Sequence, residues 1–299
     1  MTADARMSFA LACGRIVTAS PPGLLVVEVP HAGTEMDDRA VSFRQVTARA
    51  LDAGALVADA DIGSDLVWED SERHGVSRVI ATTSRYVIDL NTAPRFPTAY
   101  EEKMPEPLNN LRRRSACGLR WSAPPLPRAE LERRVETYLE PYHRAVAERL
   151  EQARTVSGAA VLLSSHTFPG DQVPVDVDVV LGTAHETSAP RELRDRIADC
   201  FRRGGLRVAL EAPFPGGLSL ARHGRPAEGV SAVQIEIRRS LLSQAIHDGE
   251  VVRFAVEPTG LERLKALMVD VSHAVVAWTD ERTSGVASSP RRPVAEVSP

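Results

Sequence analysis

The chain has 299 residues, a formal net charge of -4, and 25% charged and 43% apolar side chains. These values fit one large or two modest globular domains and exclude a disordered or fibrous chain. No global basic field exists to attract nucleic acid, and no stretch approaches the roughly 18 apolar residues of a membrane span, so neither partner is expected.

Taken in chain order, the segment from Met1 to Val17 holds only a short apolar patch, Phe9 to Cys13, too short for a signal core. Leu24 to Val29 is a β-branched apolar run bounded by Pro22-Gly23 and Pro30, which predicts a buried strand ending directly on His31. Val41 to Asp52 has helical spacing, and Ala55 to Ala58 is a candidate strand leading into Asp59, Asp61 and Asp65. Arg78 to Leu90 reads as one or two strands, and the proline-rich stretch from Asn91 to Pro127 as an excursion or lid. Arg128 to Arg154 is an amphipathic helix that Pro141 should kink or divide.

Ala159 to Leu163 predicts a second buried strand, running out into Ser164, Ser165 and His166. Strands are expected at Val175 to Leu181 and Arg207 to Leu210, with a helix at Arg191 to Arg203 stopped by Gly204-Gly205. A glycine-rich basic loop, Gly216 to Gly229, precedes Val230 to Ile237, an alternating strand that carries Glu236 on the same face as Gln234 and Arg238. Leu261 to Ala277 closes the pattern with a helix; the Ser-, Pro- and Arg-rich end, residues 279–299, is expected to be a disordered tail behind one domain spanning residues 1–278. Three widely spaced cysteines, Cys13, Cys117 and Cys200, suit a reducing cytoplasm better than a disulfide framework or a CxxC metal site.

Alternating strands and helices predict an α/β fold with a mainly parallel sheet, in which ligands bind beyond the carboxyl ends of the strands. Three of the strands end on or near His31, His166 and Glu236. A catalytic zinc takes three protein ligands from His and carboxylate and leaves a position for a water whose pKa falls to about 7. Two histidines and an early carboxylate would suffice, although each histidine alone could equally be a satisfied core or capping residue. With no HExxH and no cysteine cluster, such a site must be assembled from separate strands. Glu236, in an apolar strand, needs a partner or a function, because an unpaired buried carboxylate costs several kcal/mol.

The words PHAG (30–33), SRYVIDLN (84–91), SSHT (164–167), VLGT (180–183), PFPGG (213–217), RHGRP (222–226) and VQIEI (233–237) follow one another in that order. As a set they resemble the N-formylglutamate amidohydrolase family, whose words are close to PHSG, SRYVVDLNR, DAHS, NLGT, GGYITRHYGRP and LQLEL. The resemblance implies a single-domain zinc-peptidase or carboxypeptidase-like α/β fold, a mostly parallel sheet flanked by helices. It also implies one zinc ion and hydrolysis of a small N-formyl or other N-acyl amino acid. His31 and His166 then carry over as metal ligands. Asp61 is preferred over Asp59 and Asp65 as the third, the other acids being free to cap or solvate the following turn. Glu236 carries over as the general base.

Carboxylates of such a substrate call for arginine, with Arg222, Arg225 and Arg85 as candidates. Arg222, matching the family's TRHYGRP word, is the first choice and a catalytic candidate; its bland alternative is a surface ion pair, and that of Arg85 a structural pair with Asp89. Asn91 could orient the acyl oxygen or a carboxylate, and His223 could donate to the transition state. Departures concern the substrate side: Thr92 stands where the family has Arg, SSHT lacks the acid of DAHS, RHGRP lacks an aromatic residue, and His185-Glu186 replaces Asp-Gly. Competing readings are a peptide or peptidoglycan amidase on the same scaffold and a non-catalytic metal-binding relative.

Overall fold

Eight strands form one sheet in the computed structural model, which describes residues 7–39, 55–94, 113–114, 120–121, 126–170, 176–248 and 251–287. In chain order they are β1 (Met7–Leu11), β2 (Gly14–Thr18), β3 (Leu25–Val29), β4 (Ser77–Ala81), β5 (Ala160–Phe168), β6 (Val179–Gly182), β7 (Val208–Leu210) and β8 (Val230–Arg238). The spatial order is β1-β2-β4-β3-β5-β8-β6-β7. The central four, β4-β3-β5-β8, run parallel, so their carboxyl ends share one edge. Strands β2 and β6 join this centre antiparallel on its two sides.

Apolar clusters cover both faces, which is why LVVEV and AVLL lack polar alternation. On one face Val27, Leu163, Val233 and Ile235 pack with Trp68, α4 (Arg191–Arg203) and α6 (Pro258–Ala287). On the other, Val26, Leu162 and Ala232 pack under Tyr142, Val146 and Leu150 of α3 (Glu140–Ser157). The register of β8 on β5 is unbroken over nine pairs, from Val230 opposite Ala160 to Arg238 opposite Phe168, and sets Glu236 opposite His166.

Several elements differ from expectation. Ala55–Asp59 is a short helix, α1, rather than a strand; apolar runs this short carry too little periodicity to separate the two. The strand predicted from Arg78 stops at Ala81 and gives way to turns. The segment Arg128 to Arg154 is divided, as expected, just before Pro141, which sits in the first turn of α3. A π-helical turn, Val135–Leu139, joins α2 (Arg128–Arg134) to α3, and its wider winding accommodates the proline ring and its missing N–H. Helix α6 continues to Ala287, nine residues into the expected tail. Two hairpins, β1–β2 and β9–β10 (Ser243–Asp248 with Val251–Val256), were not anticipated. The predicted helix over 41–52, most of the proline-rich excursion, Cys117 and the final twelve residues lie outside the described residues; Cys13 and Cys200 are buried free thiols.

Candidate active site

His31 follows Pro30 directly after β3, and His166 projects from β5 on the α3 face of the sheet. Asp61 reaches them through a loop pinned at both ends. Its N–H donates to His31 O at 2.9 Å. The hydroxyl of Ser165, which accepts Trp68 Nε1–H at 3.0 Å, donates to Ser64 O at 2.9 Å. The structure thus brings Asp61, rather than its neighbours, to the histidines. Asp59 bonds the Tyr86 hydroxyl, and Asp65 lies 3.7 Å from Arg15 at the surface.

His166 Nδ1 is 2.9 Å and His31 Nδ1 is 3.5 Å from Asp61 Oδ2, and one donor atom from each residue falls within a 4.8 Å cluster. Tetrahedral zinc with ligands near 2.1 Å places its donors about 3.4 Å apart, so this buried His/Asp/His set fits such an ion. The opposite ring nitrogens are also held. His31 Nε2 meets Asp89 Oδ1 at 2.8 Å, and His166 Nε2 lies 3.1 Å from Ser164 Oγ and 3.2 Å from Asn91 Nδ2. In the bare cluster, burial opposes ionisation of Asp61, but hydrogen bonds from His166 and His31 prevail and hold its carboxyl well below the usual range. Burial and then Arg85 lower the His31 pKa, yet Asp89 and Asp61 leave it net raised.

Glu236 is 7% exposed and accepts one hydrogen bond, from Gln234 Nε2 at 3.1 Å. Burial is the largest influence on it and pushes its carboxyl up to about 7, against the attraction of His166 and with the repulsion of Asp61. A carboxyl group with that affinity for a proton, next to the histidine–aspartate cluster, can take and return protons near neutral pH.

These residues open on a cavity of about 340 Å³ also lined by Arg85, Tyr86, Asn91, Thr92, Phe214 and Arg239. Arg85 donates to Asp89 Oδ2 at 2.9 Å and lies 3.9 Å from Asp61, so the structural pairing and the pocket position hold together. Asn91 Oδ1 accepts the Ser219 N–H at the start of α5 (Leu218–His223), at 3.0 Å, which turns the amide nitrogen toward His166 and Gln234. Gly217 permits this approach, since a Cβ there would stand 2.5 Å from Asn91 Oδ1.

Arg222, Arg225 and His223 do not reach the cavity. The helical turn of α5 directs Arg222 outward to Glu140 at 2.9 Å, Arg225 pairs with Glu228 at 2.9 Å, and His223 is buried against His143. Arg239, which sequence reasoning missed, does reach it; Nη1 donates to Ala58 O at the end of α1 at 2.5 Å, and buried Nε has no hydrogen-bond partner. The only signal in the sequence was its place just past the Glu236 strand.

The sequence model of the family described as N-formylglutamate amidohydrolase matches residues 24–243, more than two-thirds of the chain. The chain belongs to the N-formylglutamate amidohydrolase family. Two relatives named N-formylglutamate deformylase align over 271 residues, that of Pseudomonas aeruginosa at 29% identity and that of Pseudomonas putida at 27%; each alignment covers 86% of this chain and 94% of the relative. The crystal structure of N-formylglutamate amidohydrolase from Ralstonia eutropha superposes with a TM-score of 0.67 at 28% identity, covering 92% of this chain and all of that one. A product of Agrobacterium tumefaciens, Atu2144, shares the fold at a TM-score of 0.63 and 19% identity, with coverage of 91% and 97%. Membership in the N-formylglutamate amidohydrolase family makes the chain a hydrolase of amide C–N bonds, and the mostly parallel α/β sheet is the family's fold. Among the described residues no helix is long and apolar enough to cross a membrane.

Proposed function

We propose that the protein hydrolyses the amide of N-formylglutamate or a closely related small N-acyl amino acid, with His31, Asp61 and His166 holding one zinc ion. The observation that carries this reading is the buried His/Asp/His cluster beside Glu236 at the carboxyl edge of parallel strands, opening on a cavity lined by Arg85 and Arg239. The names of the Pseudomonas and Ralstonia relatives support the substrate class. A divalent cation there supplies Lewis acidity toward the amide oxygen and lowers the pKa of water.

Glu236 stands one strand spacing, about 4.8 Å, from the His166 position, takes the proton of the attacking water and returns it to the leaving amine. Its raised affinity for a proton suits both steps. Arg85 and Arg239 supply positive charge for the substrate carboxylates. Arg239 compensates for Thr92, which lines the same cavity where the family carries an arginine.

Formate release from N-formyl-L-glutamate tests the reading. Chelation should abolish activity and zinc should restore it, while Glu236→Gln should keep the metal and lose turnover. Full activity after chelation removes the metal from the mechanism, and full activity of the Gln variant removes Glu236.

A further inference from the structure

We infer that Glu28 and Ser164 are positioning residues that act on the metal ligand His166 through a hydroxyl relay; this rests on the zinc reading above. Glu28 lies on β3 opposite Ser164 of β5 and is fully buried. Its Oε1 accepts the Ser164 hydroxyl at 2.7 Å, and the buried Tyr142 hydroxyl of α3 also faces the carboxyl group. Ser164 Oγ lies 3.1 Å from His166 Nε2. A cation on Nδ1 leaves the imidazole proton on Nε2. Ser164 then accepts that proton's hydrogen bond and passes its own to Glu28, giving the donor sequence Nε2–H to Oγ–H to Oε1. Asn91 Nδ2, 3.2 Å from Nε2, is itself a donor and has Gln234 Oε1 at 3.3 Å to receive it, so Ser164 is the acceptor.

The groups that face Glu28 from the helices packed on this side of the sheet are Tyr142, His143 and His223. The neutral His143 donates Nε2–H to Leu90 O at 2.9 Å, which leaves its Nδ1 to accept from His223 Nε2, also at 2.9 Å. Burial disfavours the charged form of both imidazoles, lowering the pKa of His143 and taking that of His223 down to about 4. A fully buried carboxylate costs several kcal/mol unless it answers a positive centre. The hydrogen-bond chain from Glu28 leads to the cation position beyond His166. His31 has the same support in shorter form, since Asp89 touches its Nε2 directly. Each histidine ligand thus has a carboxyl group behind it, one in contact and one across a hydroxyl. The acid absent from SSHT is supplied by the neighbouring strand.

The test is the zinc dissociation constant of the full chain, measured by competition with a chromophoric chelator, with thermal unfolding of the metal-free forms as the structural control. Ser164→Ala and Glu28→Gln should each weaken zinc binding by roughly tenfold or more. The double variant should be no weaker than Ser164→Ala alone, because the two groups act in series. Moving the acid, Glu28→Ser with Ser164→Asp, should restore affinity to within roughly threefold of wild type. Variants that bind zinc as wild type does, additive losses, or lowered melting temperatures with unchanged zinc affinity each overturn the relay while leaving the metal site in place. A wild-type chain that binds no zinc overturns the metal reading and the relay with it.

Discussion

Replacing Glu236 with Gln should stabilise the metal-free protein as pH rises. The carboxyl is held at about 7 in the folded chain by burial, against 4.5 when solvated. A proton held more tightly in the folded state means that the wild-type contribution to stability is fully present below about 4.5. It is lost progressively as pH rises to about 7, and is flat above that. The interval of about 2.5 pH units, at about 1.4 kcal/mol each, corresponds to roughly 3.5 kcal/mol. Gln keeps the shape and a hydrogen-bonding oxygen for Gln234 but carries no ionisable proton. Urea unfolding of the two metal-free proteins should therefore give similar stabilities near pH 4 and a gap in favour of Gln that opens between pH 5 and 7. A gap that stays constant, or one that favours the wild type with rising pH, would refute the account of Glu236 as a carboxyl held out of water.

Arg239→Met should raise KM for N-formylglutamate at least about tenfold with zinc content unchanged, measured by initial rates and metal analysis; loss of one charged hydrogen bond is worth about 1.5–3 kcal/mol. Arg222→Ala should leave kcat and KM near wild type and cost under about 1 kcal/mol in unfolding, because its partner Glu140 is a surface carboxylate. Ser165→Ala orphans the Trp68 N–H and the Ser64 carbonyl, so urea unfolding should show a loss of about 1–3 kcal/mol. Gly33→Ala would place a Cβ 2.3 Å from the Thr82 carbonyl beside the His31 loop and should lower both stability and zinc occupancy.

The strands that end at His31 and contain His166 and Glu236 were legible because burial on both faces leaves continuous or strictly alternating apolar runs with polar residues at one end. Parity alone set Glu236 on one face with Gln234 and Arg238, and the structure agrees. The placement of Arg222 outside the cavity was not legible, because flexible glycines before it say nothing about the helical turn that follows, and that turn aims it outward to Glu140. Arg239 is not legible in the sequence because its position depends on a carbonyl of α1, a segment whose short apolar run reads as a strand. Glu28 was invisible for the opposite reason. Within LVVEV it read as a single polar interruption, and only the pairing of β3 with β5 shows what it faces.

The unbroken register between β5 and β8 has a consequence for assembly of the fold. A slip by one residue would exchange the faces of β8, sending Glu236 with Gln234 and Arg238 into the cluster around Trp68 and α4, and Val233, Ile235 and Ile237 into the polar layer. Each misplaced polar group would cost on the order of 2 kcal/mol or more, so a chain in the wrong register is penalised by the same side chains that perform the chemistry. The active site serves as a checksum on its own folding.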